Sequence, residues 1–134
     1  ENELKELSGT YSNFALDLGY KEYLSHKIYA SSDFLLMPSR VEPCGLNQMY
    51  AMRYGTVPIV RYIGGLRDTV EDISTGGSGI NFGDATAEDA VNAMHRAMHI
   101  YHDHDLMKNL IQSNMDFDFS WDKSAHIYLE LYRK

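Results

Sequence analysis

The sequence predicts an α/β fold built on an open, mostly parallel sheet with flanking helices. Short apolar runs of strand length alternate along the chain with longer segments of helical composition. One of these runs, Phe34-Leu35-Leu36-Met37, is continuously apolar, which is typical of a parallel strand covered on both faces. The 134 residues are enough to bury one core, so we expect a single domain.

The first thirty residues alternate between helical and extended patterns. Residues 1–7 have the composition of the end of a helix, which the pair Ser8-Gly9 is expected to stop. An apolar run over residues 13–18 ends at Gly19-Tyr20, and we interpret Tyr20 as lying at a strand end. Residues 21–31 return to a helical period, with apolar positions at Tyr23, Leu24, Ile28 and Ala30.

The next segments predict a strand, a helix and a second strand. Residues 33–38 form the apolar strand, and residues 46–54 have helical composition up to Gly55, a residue that commonly ends helices. Residues 56–60 predict another strand. Pro58 within it donates no ladder hydrogen bond and favours an edge position.

The remaining residues predict one more strand and three helices. Residues 76–79 form a turn and residues 80–82 a short strand. Thr86 caps a helix with Asp89 three residues later, and its expected buried stripe comprises Val91, Met94, Met98 and Tyr101. A helix over residues 105–115 follows, and Ser120 caps the last one, which carries Trp121, Ala125, Tyr128 and Tyr132. The complete pattern predicts a Rossmann-like layered fold.

Composition excludes several classes of protein. The formal net charge is −7, which argues against a non-specific nucleic-acid binder because few cations are available to neutralise phosphates. The single cysteine, Cys44, excludes an internal disulfide framework and a multi-cysteine zinc site. No window approaches 18 uninterrupted apolar residues, and the N-terminus does not resemble a signal peptide. We therefore expect an intracellular domain with no nucleic-acid or membrane partner.

One loop carries the strongest functional indication. In open parallel sheets, ligands bind outside the carboxyl ends of the strands. The strand at residues 33–38 is followed by such a loop, Ser39-Arg40-Val41-Glu42-Pro43-Cys44-Gly45-Leu46-Asn47-Gln48. The start of the next helix offers unpaired N–H groups to a phosphate, and Glu42 offers acceptors to sugar hydroxyls. From the residues alone, an ordinary strand–helix turn with a solvated glutamate remains an alternative.

Four stretches resemble the bacterial glycogen synthases and plant starch synthases, in order and spacing over nearly the whole chain. The main one runs from the strand through the loop to Pro58. The other three are Gly64-Gly65-Leu66-Arg67-Asp68-Thr69-Val70, Asp118-Phe119-Ser120-Trp121, and Tyr128-Leu129-Glu130-Leu131-Tyr132.

The resemblance implies a retaining glucosyltransferase of the two-domain GT-B type. Such an enzyme transfers glucose from a nucleotide sugar, usually ADP-glucose, to the non-reducing end of an α-1,4-glucan without a metal or other cofactor. Residues 1–134 then form part of the C-terminal, donor-binding domain, with the N-terminal acceptor domain and the first part of the C-terminal domain absent. We expect this part to be inactive alone, and the enzyme to be cytoplasmic in a bacterium or plastid in a plant.

The resemblance also implies roles for particular residues. Glu42 matches the catalytic glutamate that supports positive charge at the anomeric carbon. Tyr20 matches a ring that stacks on the adenine. The remaining donor-site positions are Cys44, Gly45, Leu46, Asn47, Gly64 and Gly65.

At two positions the sequence departs from related patterns. Ile63 replaces a threonine that usually precedes the glycines, and removes one hydroxyl contact. Tyr50 replaces the second glutamate of many related retaining enzymes, as it does in the glycogen and starch synthase branch, so only Glu42 is available.

Two other interpretations belong to different classes. One is a non-catalytic nucleotide- or sugar-binding module on the same fold. The other is a cysteine-dependent enzyme with Cys44 as nucleophile and His26 as its partner. The histidines His95, His99, His102 and His104 resemble a metal cluster in spacing, but we interpret them as structural.

Overall fold

A computed structural model of the chain describes residues 1–133. Its sheet has three parallel strands in the order β1 (Phe34–Met37), β2 (Val57–Arg61) and β3 (Ile80–Phe82). The helices are α1 (Asn2–Thr10), α2 (Glu22–Ser31), α3 (Asn47–Arg53), α4 (Gly64–Thr69), α5 (Ala87–His102), α6 (His104–Met115) and α7 (Trp121–Tyr132). The predicted open α/β architecture is confirmed.

The core lies on the two faces of the sheet. On one face, Val57, Ile59, Ile80 and Phe82 pack against helices α5 and α6. On the other, Met37 and Val60 pack with Met52 of α3 and with Leu66 and Val70 in and after α4. Helices therefore cover both faces, and the loops that follow the strands emerge together at one edge of the sheet.

Capping predictions from the sequence are confirmed at two helices. Thr86 Oγ1 accepts a hydrogen bond from the N–H of Asp89 at 3.2 Å, at the start of α5. Ser120 Oγ accepts from the N–H of Lys123 at 3.4 Å, at the start of α7. Both bonds are local, so the sequence alone was sufficient to predict them.

The predicted strand end at Tyr20 is wrong. Residues 11–21 carry no helix or strand, and within residues 1–133 the sheet contains only β1, β2 and β3. The apolar run at residues 13–18 finds no strand to pair with, and Phe14 and Leu18 are exposed. The first helix also continues through Gly9 to Thr10 instead of stopping at Ser8-Gly9.

The strand predicted around Pro58 is confirmed as β2, but it is the central strand and not the edge position that proline favours. Successive N–H groups of a strand point to opposite neighbours. The N–H of Val57 donates to Asp33 O on the β1 side, so the Pro58 nitrogen faces the β3 side. There β3 begins only at Ile80, opposite Ile59, and no ladder hydrogen bond is lost.

The buried stripe predicted for α5 is wrong by about one residue. Ala93, Ala97 and Ile100 are buried against the sheet, while Val91, Met94, Met98 and Tyr101 are each more than 40% exposed. Met94, Met98 and Tyr101 instead line a groove of about 520 Å³ beside β1. Leu36 lines the same groove and is exposed. The prediction that both faces of β1 are covered is therefore wrong.

Helices α2 and α7 contribute little to the core. Neither has a buried residue, and the predicted apolar positions Tyr23 and Ile28 of α2 are exposed. Thr56 joins α2 to the sheet by donating its hydroxyl to the carbonyl oxygens of Tyr29 and Ser32.

A polar network closes the outer edge of β3. Asp72 Oδ2 accepts from the N–H of Asn81 at 2.7 Å, and Oδ1 accepts from Arg96 Nη2 at 2.6 Å and from the hydroxyl and N–H of Ser74. Arg96 Nη1 also donates to Asn81 O. Partial burial pushes the pKa of Asp72 upward, but the bonds from Arg96, Ser74 and Asn81 outweigh it and lower the pKa from 3.8 to about 2.

This lowered pKa predicts an acid-sensitive contribution to stability. Because the carboxylate form of Asp72 is favoured in the folded state, its contribution is present above pH 3.8 and is lost as pH falls through about 2. The difference in Tm between wild type and Asp72→Asn should be largest near neutral pH, shrink below pH 3.8 and disappear below about pH 2. A Tm difference that stays constant over this range would contradict the assignment.

Candidate functional site

The carboxyl ends of the three strands meet at one edge of the sheet, where two loops lie against each other. The loop after β1, residues 38–46, contains Glu42, and we name it the Glu42 loop. The segment after β2 runs through Ile63 into Gly64 and Gly65 at the start of α4. The structure therefore brings the two predicted site segments together.

Glu42 is held at both its backbone and its side chain. Its carbonyl oxygen accepts from the N–H of Gly65 at 3.0 Å. Ser39 Oγ donates to Glu42 Oε2 at 3.2 Å. In residues 1–133 no donor contacts Oε1, and the side chain is only half-buried. One carboxylate oxygen is thus oriented by the loop, and the other is available to a ligand.

The two glycines are required by this contact between loops. A Cβ on Gly64 would lie 1.9 Å from Glu42 O, and one on Gly65 would lie 1.9 Å from Cys44 O. Gly64 also has a φ of +50°, a conformation that costs other residues energy. Both glycines therefore allow α4 to begin directly under the Glu42 loop.

The end of the loop presents a run of backbone donors. Among the residues that the structure describes, the N–H groups of Gly45, Leu46 and Asn47 have no hydrogen-bond acceptor; the first bond of this turn runs from Tyr50 N–H to Leu46 O. Gly45 has a φ of +72°, and Leu46 and Cys44 are exposed. Helix α3 has only seven residues, so an anion at this position would interact with the individual N–H groups more than with a helix dipole.

Gln48 supports this turn and was missed in the sequence analysis. It is fully buried, and its Nε2 donates to Gly45 O at 2.9 Å, to Cys44 O at 3.3 Å and to Thr69 Oγ1 at 3.0 Å. Thr69 Oγ1 in turn donates to Gly65 O. The available sequence signal was weak, because Gln48 follows a second amide residue, Asn47, in the first turn of the helix.

The arginines near the site differ in their surroundings. Arg61, the last residue of β2, donates from Nη1 to Arg40 O at 2.9 Å and to Ser39 O at 3.3 Å, and from Nε to Gly83 O at 3.1 Å. Arg40 is exposed. Arg67 is exposed and lies 3.6 Å from Asp68. Arg61 is thus engaged with backbone carbonyl groups.

Tyr20 lies just before α2 and is 86% exposed. Tyr29 of α2 stacks on Tyr54, with ring centroids 6.3 Å apart, and contacts Tyr50 of α3 at 6.4 Å. Burial raises the pKa of Tyr29, and the hydroxyls of Tyr50 and Tyr20 raise it further. Tyr20 therefore lies near enough to Tyr29 to affect its pKa, although it does not lie at a strand end.

The structure separates Cys44 from His26. Cys44 is an exposed free thiol before α3. His26 Nδ1 shares a hydrogen bond of 3.0 Å with the hydroxyl of Tyr54, which follows the opposite end of α3. The partner that a cysteine nucleophile needs is therefore not supplied by His26.

Residues 1–133 contain neither a candidate metal site nor a candidate membrane span. No group of three or more His, Cys, Asp or Glu side chains is arranged to hold a metal ion, the four histidines of residues 95–104 included. None of the described helices is both long and apolar enough to cross a membrane.

Comparison with known proteins identifies the class to which this chain belongs. Residues 17–114 match the family described as glycosyl transferases group 1, and the chain belongs to that family. More particularly, it is 48% identical over 133 residues to a glycogen synthase of Flavobacterium johnsoniae, and 46% identical over 134 residues to one of Aquifex aeolicus. These matches cover 98% and 100% of this chain but only 28% and 29% of the relatives.

A solved structure gives the same result. The catalytic domain of starch synthase IV from Arabidopsis thaliana, bound to ADP and acarbose, superposes with a TM-score of 0.86 at 40% identity. The match covers 98% of this chain and 29% of that one. A sucrose-phosphate synthase from Thermosynechococcus elongatus is more distant, with a TM-score of 0.69 at 25% identity. The resemblance to glycogen and starch synthases is confirmed.

Proposed function

We propose that residues 1–134 form part of the donor-binding domain of a glycogen or starch synthase. The enzyme would transfer glucose from ADP-glucose to the non-reducing end of an α-1,4-glucan with retention of anomeric configuration. The observation that carries this proposal is the Glu42 loop, with one carboxylate oxygen oriented by Ser39 and the other open to a ligand. The similarity to glycogen synthases and to an ADP-bound starch synthase supports the substrate classes.

In the proposed reaction, the bond between C1 of glucose and the ADP phosphate oxygen breaks as a glucan hydroxyl attacks from the same face. The proton of that hydroxyl passes to the departing phosphate. Positive charge develops at C1, and a carboxylate placed nearby stabilises it in the transition state. Glu42 has this role in the proposal, and the reaction uses no metal.

The donor phosphates would contact the backbone N–H groups of Gly45, Leu46 and Asn47, with Cys44 beside them. Backbone donors that have no acceptor in the protein can bind an anion without breaking another hydrogen bond. Gly64 and Gly65 would lie next to the same phosphates, in addition to supporting the loop. Arg61 is occupied by carbonyl groups, so the cations that neutralise ADP would come from the rest of the enzyme.

The remainder of the enzyme would supply the glucan-binding domain, and this chain alone would be inactive. We also place the enzyme in the cytoplasm, given its bacterial relatives, or in the plastid if its source is a plant. A chimeric synthase tests the whole proposal: the Flavobacterium johnsoniae enzyme with its 133 matching residues replaced by this chain. Transfer of glucose from ADP-glucose to glycogen would support the proposal, and a folded chimera without transfer would contradict it.

Tyr20→Ala is expected to weaken ADP binding about tenfold, because stacking of a base on an aromatic ring contributes roughly this much. The measurement is calorimetric titration of the chain, or of the chimeric synthase, with ADP. Tyr23→Ala is the matched control, since Tyr23 is 75% exposed and its ring contacts Lys27. Equal ADP affinity in the Tyr20 and Tyr23 variants would contradict adenine stacking on Tyr20.

A non-catalytic nucleotide- or sugar-binding module on the same fold is the second candidate. The free donors at Gly45 to Asn47 serve binding equally well in both candidates. Glu42 separates them, because the synthase needs its carboxylate for glucose transfer, whereas a binding module would use it only to hold a ligand.

A further inference from the structure

We propose that Arg61 is a positioning residue that holds the first half of the Glu42 loop in its reactive conformation. The inference rests on the proposed function, since it assigns a task to Glu42. It begins from the three carbonyl oxygens to which Arg61 donates, which belong to Ser39, Arg40 and Gly83.

These contacts join the carboxyl ends of all three strands. Ser39 and Arg40 follow β1, Arg61 ends β2, and Gly83 follows β3. A guanidinium group is planar and carries five N–H donors in a fixed arrangement, so one side chain can bond to carbonyls on both sides. Lysine keeps the charge but has a single nitrogen, and cannot reproduce bonds from both Nε and Nη1.

The loop has two separate anchors. Arg61 contacts the carbonyls of Ser39 and Arg40, immediately before Glu42, and Ser39 also donates to the Glu42 carboxylate. Gln48 contacts the carbonyls of Cys44 and Gly45, next to the free N–H groups. Loss of Arg61 should therefore displace Glu42 more than it displaces the phosphate donors.

The two separate anchors predict which kinetic constant changes when Arg61 is replaced. Misplacement of a catalytic group lowers kcat, whereas unchanged donor contacts preserve KM for the nucleotide sugar. In the chimeric synthase, Arg61→Lys should reduce kcat about tenfold or more, with KM for ADP-glucose within about threefold of wild type. Arg67→Lys is the matched control, because Arg67 is exposed and only lies near Asp68.

Hydrogen exchange of the chain itself tests the positioning directly. The N–H of Gly65 is bonded to Glu42 O, so its exchange rate reports whether the loop stays against α4. In Arg61→Lys, exchange at Gly65 should accelerate about tenfold, while exchange at core residues such as Val60 stays unchanged. The same variant should keep the urea midpoint of wild type.

The exchange and kinetic results for Arg61→Lys decide whether Arg61 positions the loop. Faster exchange at Gly65 alone, with a loss confined to kcat, supports the positioning role. Exchange at Gly65 equal to that of the Arg67→Lys control overturns it. Equally accelerated exchange at Gly65 and Val60 also overturns it, because Arg61 would then serve general stability. A wild-type chimera without transfer contradicts the proposed function instead, and the exchange experiment still decides on Arg61.

Discussion

Glu42→Ala is expected to abolish glucose transfer by the chimeric synthase while leaving its affinity for ADP nearly unchanged. In the proposed function the carboxylate would act where positive charge develops in the transition state, so its removal should lower kcat about a hundredfold to a thousandfold. In the proposed function, ADP would contact the backbone donors at the end of the loop and not the open Glu42 oxygen. The measurements are initial rates with ADP-glucose and glycogen, and calorimetric titration with ADP.

Glu88→Ala is the matched control, because Glu88 is an exposed carboxylate in the first turn of α5, on a different element from the Glu42 loop. It should transfer glucose at the wild-type rate. Normal transfer by Glu42→Ala would contradict the catalytic role. Loss of ADP affinity together with activity would show that Glu42 serves binding or the shape of the loop, as a non-catalytic module would require.

Gly65→Ala is expected to destabilise the chain by about 3 kcal/mol, because the new Cβ would overlap a neighbouring backbone carbonyl. The overlap is with Cys44 O at 1.9 Å, and a backbone atom cannot rotate away as a flexible side chain can. Relief of the overlap requires α4 and the Glu42 loop to separate, which also breaks the bond from Gly65 N–H to Glu42 O. Urea denaturation measures the loss as a lower midpoint.

Gly9→Ala provides the matched control for this prediction. Gly9 lies within α1, and a Cβ there would meet no atom within 4 Å. Alanine favours helix over glycine by up to about 1 kcal/mol, so this variant should be as stable as wild type or slightly more stable. A Gly65→Ala chain with the midpoint of wild type would show that the loops are not tightly joined at this position.

Much of the fold could be predicted because its signals are local. The apolar run of β1, the helix stop at Gly55 and the caps at Thr86 and Ser120 each depend on residues a few positions apart. The errors occurred where a distant partner decides the outcome. The run at residues 13–18 lacks a strand to pair with, and Pro58 is tolerated in the centre because β3 starts late.

The exposed face of α5 is another case in which a distant partner decides what the sequence alone could not predict. Large apolar residues at helical spacing predicted the stripe containing Met94 and Met98, but the helix buries Ala93 and Ala97 instead. Small side chains allow α5 to approach the sheet closely. Periodicity indicates that a helix has an apolar side, but the sheet determines which part of that side is buried.

The sequence by itself determined the family, most of the strands and helices in their order, and the position of Glu42 in a loop between an apolar strand and a helix. Only the tertiary structure decided how that loop is held. Gly65 lies 23 positions from Glu42, and Arg61 lies 21 positions from Arg40. Their contacts arise because parallel strands bring their carboxyl ends to one edge of the sheet, and no local pattern in the sequence encodes that proximity.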